Sequence, residues 1–360
     1  MQIVEELFAK YGIKDKVIAV GVSGGADSLA LVLQAAEELA VFGRKVVALT
    51  VDHGLRPTSR MEAEYVSGLM QKYGIEHHIL TWVGEKPQTG VEELARQARY
   101  ALIADWCRQN GVRVLLTAHH AKDQAETFLM RLQRGSGLEG LCGIREYSVR
   151  DGLVILRPLL KVFPENLRLY LQKRKIEWIE DESNADTRFL RGKIRQFLPE
   201  LTTQTGIDTA KICNAVRNLQ SAEDYIEQQL DLLLAGEVLW DFDTVCRFEY
   251  TKYLSWHKEM KFRVLARLCR RDYIPRAESV MQLRDALNVL PFKGATLGGK
   301  EFILAYGFVW VIPEQNTKRT ETRKQWEELV KQHPLYKNVK MPYKAKLAIL
   351  NKVGAKKDGL

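Results

Sequence analysis

The chain has 360 residues, 46% hydrophobic and 28% charged, enough to bury a full core and to build two or three domains. No uninterrupted apolar stretch reaches membrane-spanning length, and the five cysteines (Cys107, Cys142, Cys213, Cys246, Cys269) form no Cys-x-x-Cys pair and no Cys/His cluster. Structural zinc, iron–sulfur clusters and a disulfide framework are therefore not expected. A formal net charge of +9 favours a polyanionic partner such as nucleic acid. A cytoplasmic location with no membrane partner is the resulting expectation.

In chain order, Met1 to Phe8 carries acids and reads as an amphipathic helix. Val17-Ile18-Ala19-Val20-Gly21-Val22 is a buried strand, followed by Ser23-Gly24-Gly25-Ala26-Asp27-Ser28 and a helix opening at Leu29-Ala30-Leu31-Val32-Leu33. A glycine turn between strand and helix lets backbone N–H groups approach an anion, and the helix N-terminus attracts it. Ser23 and Ser28 add hydroxyl donors. Asp27 would be repelled by phosphates unless a cation lay between them, which suggests a metal-bound nucleotide. No Gly-Lys-Ser/Thr follows, so this is not the loop of γ-phosphate-releasing ATPases. The six residues resemble the pyrophosphatase loop of enzymes that cleave ATP between its α- and β-phosphates. The simpler reading is a glycine turn in which Ser28 or Asp27 caps a helix.

Further strands are expected at Val46–Val51, His78–Trp82 and Val112–Ala118, separated by helices near 59–73 and 91–109. That alternation predicts βαβ units and a parallel sheet with ligands at the carboxyl ends of its strands. Asp52-His53-Gly54-Leu55-Arg56 and His119-His120-Ala121-Lys122-Asp123 follow two of those strands, so three polar clusters would meet at one crevice. On the helix that follows, Asp123 and Glu126 share a face by their i,i+3 spacing. They could hold magnesium, recognise an ammonium group or act as a general base, or merely form a solvated helix face. Adjacent histidines at a strand end point to opposite sides, so one of His119 and His120 is expected to face the ligand.

Arg157 to Pro199 reads as helical, with Pro164 at a helix start. Leu201 to Gly206 is a polar break, and Thr209 to Leu234 one long linker helix. Residues 237–315 mix helices near 256–270 and 276–289 with a hairpin in Ala295–Pro313. The expected domains are 1–200 (catalytic), 201–236 (helical linker), 237–330 (small α+β) and 331–360 (basic tail). Eight lysines and no acids lie between Lys331 and Lys357, either an RNA-contacting arm or a solvated terminus.

Taken together, Ser23–Ser28, Val51–Arg56, Ala95-Arg96-x-x-Arg99-Tyr100, Thr117–Gly137, Arg157-Pro158-Leu159-Leu160 and Asp181-x-Ser183-Asn184-x-Asp186 with Arg191 and Arg195 resemble the tRNA(Ile)-lysidine synthetase family. The resemblance covers most of residues 15–200; the run from His119 to Gly137 discriminates it from other pyrophosphatase-loop families. It implies a Rossmann-like, doubly wound α/β catalytic domain of the N-type ATP pyrophosphatases. It also implies the activity: ATP-dependent ligation of free L-lysine to C2 of the wobble cytidine in a CAU-anticodon tRNA(Ile), through an adenylated cytidine, with AMP and pyrophosphate released.

By the same resemblance Ser23, Gly24, Gly25, Ala26, Asp27 and Ser28 bind ATP, with Asp27 on magnesium. Asp52 and His53 border the adenosine, although a strand-end turn explains them nearly as well. Asp123 and Glu126 recognise lysine and, with Asp27, are the catalytic set. Arg96, Arg99, Arg191 and Arg195 face the tRNA; a Glu92–Arg96 surface pair is the plainer account of Arg96. Two positions depart from the family pattern: Lys122 stands where a second acid is usual, and Gly192 where asparagine is usual. A tRNA thiolase, an amidating synthetase or a silent tRNA-binding protein are the alternatives, and oligomeric state is left open.

Overall fold

The computed structural model describes residues 3–84, 91–180, 190–269, 275–314 and 322–357. Strand β1 (Val17–Gly21) sets the frame of the first unit, because its alternating side chains serve two cores. Ile18 and Val20 face the layer of α1 (Ile3–Tyr11), α2 (Ala26–Ala40), α3 (Ser59–Lys72) and α7 (Pro164–Lys173). Ala19 faces α4 (Val91–Gln109), where Tyr100, Ile103 and Cys107 are buried. A strand covered on both sides must be apolar throughout, which is why the run is continuous.

The sheet has the order β3-β2-β1-β4-β6-β5, with β2 at Lys45–Asp52, β3 at Glu76–Thr81, β4 at Val114–Leu116, β5 at Tyr147–Arg150 and β6 at Leu153–Leu156. All its pairs are parallel except β5–β6. The expected parallel, doubly wound α/β sheet is thus present, with an antiparallel edge hairpin that the sequence reading passed over. Chain order reverses between β1 and β4, and the crevice beyond their carboxyl ends is where such sheets bind ligands. Helices α5 (Ala121–Gln133) and α8 (Leu190–Thr205) pack together with the start of α9 (Thr209–Glu237) through Ala125, Ile194, Leu198, Ile212 and Val216.

The polar break expected at Leu201–Gly206 is helix up to Thr205. Thr202, Thr203 and Thr205 turn their hydroxyls back onto the carbonyls of Leu198, Pro199 and Leu201, so these residues stay within the helix instead of ending it. The chain divides into compact units at Glu223/Asp224, inside α9 and not at residue 200 or 236.

The second unit is built on an antiparallel sheet of order β7-β8-β11-β10-β9, comprising Leu239–Asp241, Val245–Glu249, Ala295–Leu297, Lys300–Ala305 and Phe308–Pro313 in chain order. Phe248, Phe302, Val309 and Val311 face α10 (Tyr250–Ser255), α11 (Lys258–Cys269) and α12 (Ala277–Leu287). Trp310 and Ile312 face α13 (Thr322–Gln332) and α14 (Tyr343–Lys357). The basic tail is therefore corrected: Met341, Ala345, Ala348 and Ile349 are core residues. No helix among the described residues is long and apolar enough to cross a membrane.

Candidate active site

The loop after β1 is braced from within. Ser28 Oγ accepts the Ser23 N–H at 3.1 Å, lies 3.2 Å from Ser23 Oγ and donates to the Gly25 carbonyl at 3.0 Å. Gly25 is the N-cap of α2 and has no side chain to cap the first-turn amides, which leaves them directed at whatever anion sits on the loop. Gly24 has φ +86°, and a Cβ there would lie 2.6 Å from Ile179 Cδ1 and 3.2 Å from Val66 Cγ2. Ile179 also donates its N–H to the Gly24 carbonyl at 3.0 Å. Only glycine fits.

Asp27 lies in the first turn of α2. Its Oδ1 is buried without a hydrogen-bond partner, and its Oδ2 lies 3.4 Å from His120 Nε2. An unsatisfied carboxylate oxygen costs free energy unless a donor or cation meets it.

At the end of β2, Asp52 Oδ1 accepts the Gly54 N–H at 3.0 Å, the geometry of an Asx turn. His53 Nδ1 lies 3.5 Å from Ser59 Oγ; burial lowers the pKa of His53, and the charges of Arg99 and Arg56 lower it further. Asp52 therefore holds the turn, as the plainer reading had it, while His53 feels the arginine of α4. Arg96 and Arg99 are exposed on that helix, and the Arg96 guanidinium lies 5.3 Å from the Tyr100 ring centroid. The Glu92 side chain, and the motif at Asp181–Asp186, lie outside the described residues.

Beyond β4, His119 Nδ1 pairs with Thr117 Oγ1 at 3.0 Å, and burial brings its pKa down to about 4. His120 is the N-cap of α5: its Nδ1 accepts the Asp123 N–H at 3.3 Å, and Asp123 Oδ2 accepts the His120 N–H at 3.0 Å. Burial depresses the His120 pKa, but the Asp27 and Asp123 carboxylates outweigh that and raise it. His120 thus meets the loop through Asp27, while His119 is held by Thr117.

Asp123 and Glu126 do not present the free carboxylates that their spacing suggested. Glu126 has no exposed side-chain surface and receives Arg191 Nε at 2.7 Å and Arg195 Nε at 2.6 Å. Asp123 Oδ1 takes Arg191 Nη2 at 2.9 Å. Burial alone would raise the Asp123 pKa; the positive charges of His120 and Arg191 hold it below the usual value. Arg191 and Arg195, expected to reach RNA, are thus engaged with carboxylates, though their side chains keep 40% and 32% exposure.

Two further residues of the long motif hold backbone. Gln124 grips the backbone of Ile144 through both ends of its amide, and Arg131 donates to the carbonyls of Gly140 and Gly143. Lys122, the first departure, pairs with Glu165 at 2.6 Å. Gly192 is buried in α8. Sequence reasoning missed Ile179 and His77, whose Nε2 meets Thr50 Oγ1 at 2.9 Å while Thr50 donates to the Val22 carbonyl at 2.8 Å.

A phosphate-ready loop at the switch point of a parallel sheet defines a nucleotide-binding α/β protein, and residues 2–201 match the PP-loop domain family. Among solved structures the chain is similar to a U34-tRNA thiolase from Methanococcus maripaludis, at 16% identity and a TM-score of 0.52, over 61% of this chain and 77% of that one; this likeness supports the α/β fold. Among curated proteins it is 34% identical over 346 residues to the tRNA(Ile)-lysidine synthase of Bradyrhizobium diazoefficiens, covering 89% of this chain and 95% of the relative. It is 36% identical to that of Hyphomonas neptunium over 83% and 82%, and 42% identical to that of Bradyrhizobium sp. over 64% and 67%. The chain belongs to the tRNA(Ile)-lysidine synthase family.

Proposed function

We infer that this chain uses ATP to convert the wobble cytidine of tRNA(Ile) to lysidine, taking free L-lysine and releasing AMP and pyrophosphate. The observation that carries the reading is the near full-length match to lysidine synthases. The meeting of the Ser23–Ser28 loop with the His119–Glu126 segment at the β1/β4 switch point agrees with it.

In this reading the first-turn amides of α2 receive the phosphates of ATP. Asp27 suits a magnesium ion, because its buried Oδ1 is a hard oxygen donor without a partner. Bound there, magnesium would neutralise charge on the leaving pyrophosphate. The C2 oxygen of cytosine attacks the α-phosphorus and expels pyrophosphate; the ε-amine of lysine then displaces AMP at C2. The wobble base must leave the anticodon stack to reach the crevice, and Arg96 and Arg99 on the exposed face of α4 suit the flanking phosphates.

Lysine recognition at α5 takes the form of an exchange. A cationic amino acid reaches Asp123, which is 14% exposed, by replacing the Arg191 guanidinium, while Glu126 stays with Arg195. The displaced guanidinium is then available to an anion, whether substrate carboxylate or phosphate.

The test is direct. The protein is incubated with ATP, magnesium, lysine and CAU-anticodon tRNA(Ile), and the nucleosides are analysed by mass spectrometry. A lysine-dependent mass gain on cytidine is expected; its absence while tRNA is bound overturns the reading.

A further inference from the structure

His120 occupies a position that helix capping alone does not explain. Asparagine, aspartate, serine and threonine are the usual N-caps, and one side-chain acceptor is all that the Asp123 N–H requires. Histidine brings a second nitrogen on the far side of its ring. That nitrogen, Nε2, lies 3.4 Å from Asp27 Oδ2, on a different helix, and the His120 side chain is only 9% exposed. With Nδ1 accepting the Asp123 N–H, the neutral ring carries its proton on Nε2. The doubly protonated ring carries one there too. In either form the proton on that side lies next to Asp27 Oδ2.

The Asp27 carboxylate is consequently divided. Oδ2 lies against the ring, and Oδ1 is buried with nothing to meet it. Asp123, on the other side of the same imidazole, holds Arg191. A continuous row, Arg191–Asp123–His120–Asp27, thus runs from α8 through the start of α5 to the phosphate loop.

We propose that His120 is a positioning residue for the nucleotide site: its Nε2–H fixes the Asp27 carboxylate so that Oδ1 is presented to the magnesium of bound MgATP. This rests on the reading of Asp27 as the metal-bearing residue. A hydrogen bond to a ligating carboxylate orients it and tunes its basicity, and loss of such a partner typically lowers metal affinity roughly 10–100-fold.

Capping and positioning separate by substitution. His120→Asn and His120→Ser each keep a side-chain acceptor for the Asp123 N–H, but neither reaches Asp27. Binding of a non-hydrolysable ATP analogue to the full chain is measured by calorimetry, without tRNA or lysine, across a magnesium series and in EDTA. The expected result has three parts: melting temperatures close to wild type, analogue affinity in magnesium reduced about 10-fold or more, and equal affinities for variant and wild type in EDTA. In an Asp27→Asn background the same substitution should cost nothing further.

Wild-type affinity of both variants in magnesium would overturn the proposal and leave His120 a helix cap. An undiminished loss in the Asp27→Asn background, or analogue binding by the wild type that is indifferent to magnesium, would overturn it as well. Because no turnover is measured, a negative lysidine assay counts against the proposed function and leaves this result standing.

Discussion

Arg195 grips Glu126 through Nε at 2.6 Å and Nη2 at 3.1 Å, yet the carboxylate it holds has no surface of its own. The two partners are therefore unequal. An arginine left alone can turn to solvent, whereas Glu126 left alone remains a buried charge. The double variant Arg191→Ala/Arg195→Ala should lose about 3–5 kcal/mol, and Glu126→Gln about 1–2 kcal/mol, in urea unfolding. The reverse order would mean that the arginines contribute little to holding α5 against α8.

Asp27→Asn should abolish turnover while sparing tRNA binding, since the change removes a charge from the phosphate loop and leaves the α4 arginines in place. Product formation and tRNA affinity, measured on the same preparation, check both halves.

Gly24→Ala adds a Cβ 2.6 Å from Ile179 Cδ1 at a backbone φ of +86°. We expect ATP affinity to fall by about 10-fold, equivalent to roughly 1.4 kcal/mol. Ile179→Ala in the same chain should restore part of it, by removing the clash but not the backbone strain. Competition with a labelled nucleotide reads the difference.

His77 and His119 both titrate near 4, chiefly through burial. The folded state therefore holds these rings neutral, while the unfolded chain protonates them near 6.5. Stability should be fully present above about pH 6.5 and should decline as pH falls toward 4, by about 1–2 kcal/mol for each histidine after solvent screening. His77→Gln should flatten the slope of urea stability between pH 7 and 4.

Arg96→Ala should weaken tRNA binding and shallow its salt dependence by about one unit of log–log slope, as expected for a phosphate contact. Affinities at several salt concentrations give that slope; an unchanged slope would assign Arg96 to its stack on Tyr100.

The parts of the molecule that depend on local sequence were legible. An apolar run, two glycines and an apolar helix start suffice to describe β1, its loop and α2, and the polar clusters after β2 and β4 do follow the carboxyl ends of those strands. Asp151-Gly152 joins β5 to β6 with φ values of 52° and 77°, a hairpin signal lost among the charged residues around it. The lysines near the C-terminus masked a buried stripe at Met341, Ala345, Ala348 and Ile349. What spacing could not convey was partnership across the chain. Asp123 and Glu126 look like an open acidic face until α8, more than 60 residues on, supplies the guanidiniums. Ile179 carries no chemical signal at all, and its role exists only because its backbone and side chain meet Gly24.

That contact bears on the cost of binding. A phosphate loop hung between a strand and a helix would ordinarily have to be immobilised by its ligand, with the lost freedom deducted from affinity. Here the Ser23–Ser28 hydroxyls secure the turn from inside and the Ile179 amide secures it from outside. In the reading proposed above, the nucleotide meets a seat already formed, so little of the interaction energy of its phosphates is spent on ordering the loop.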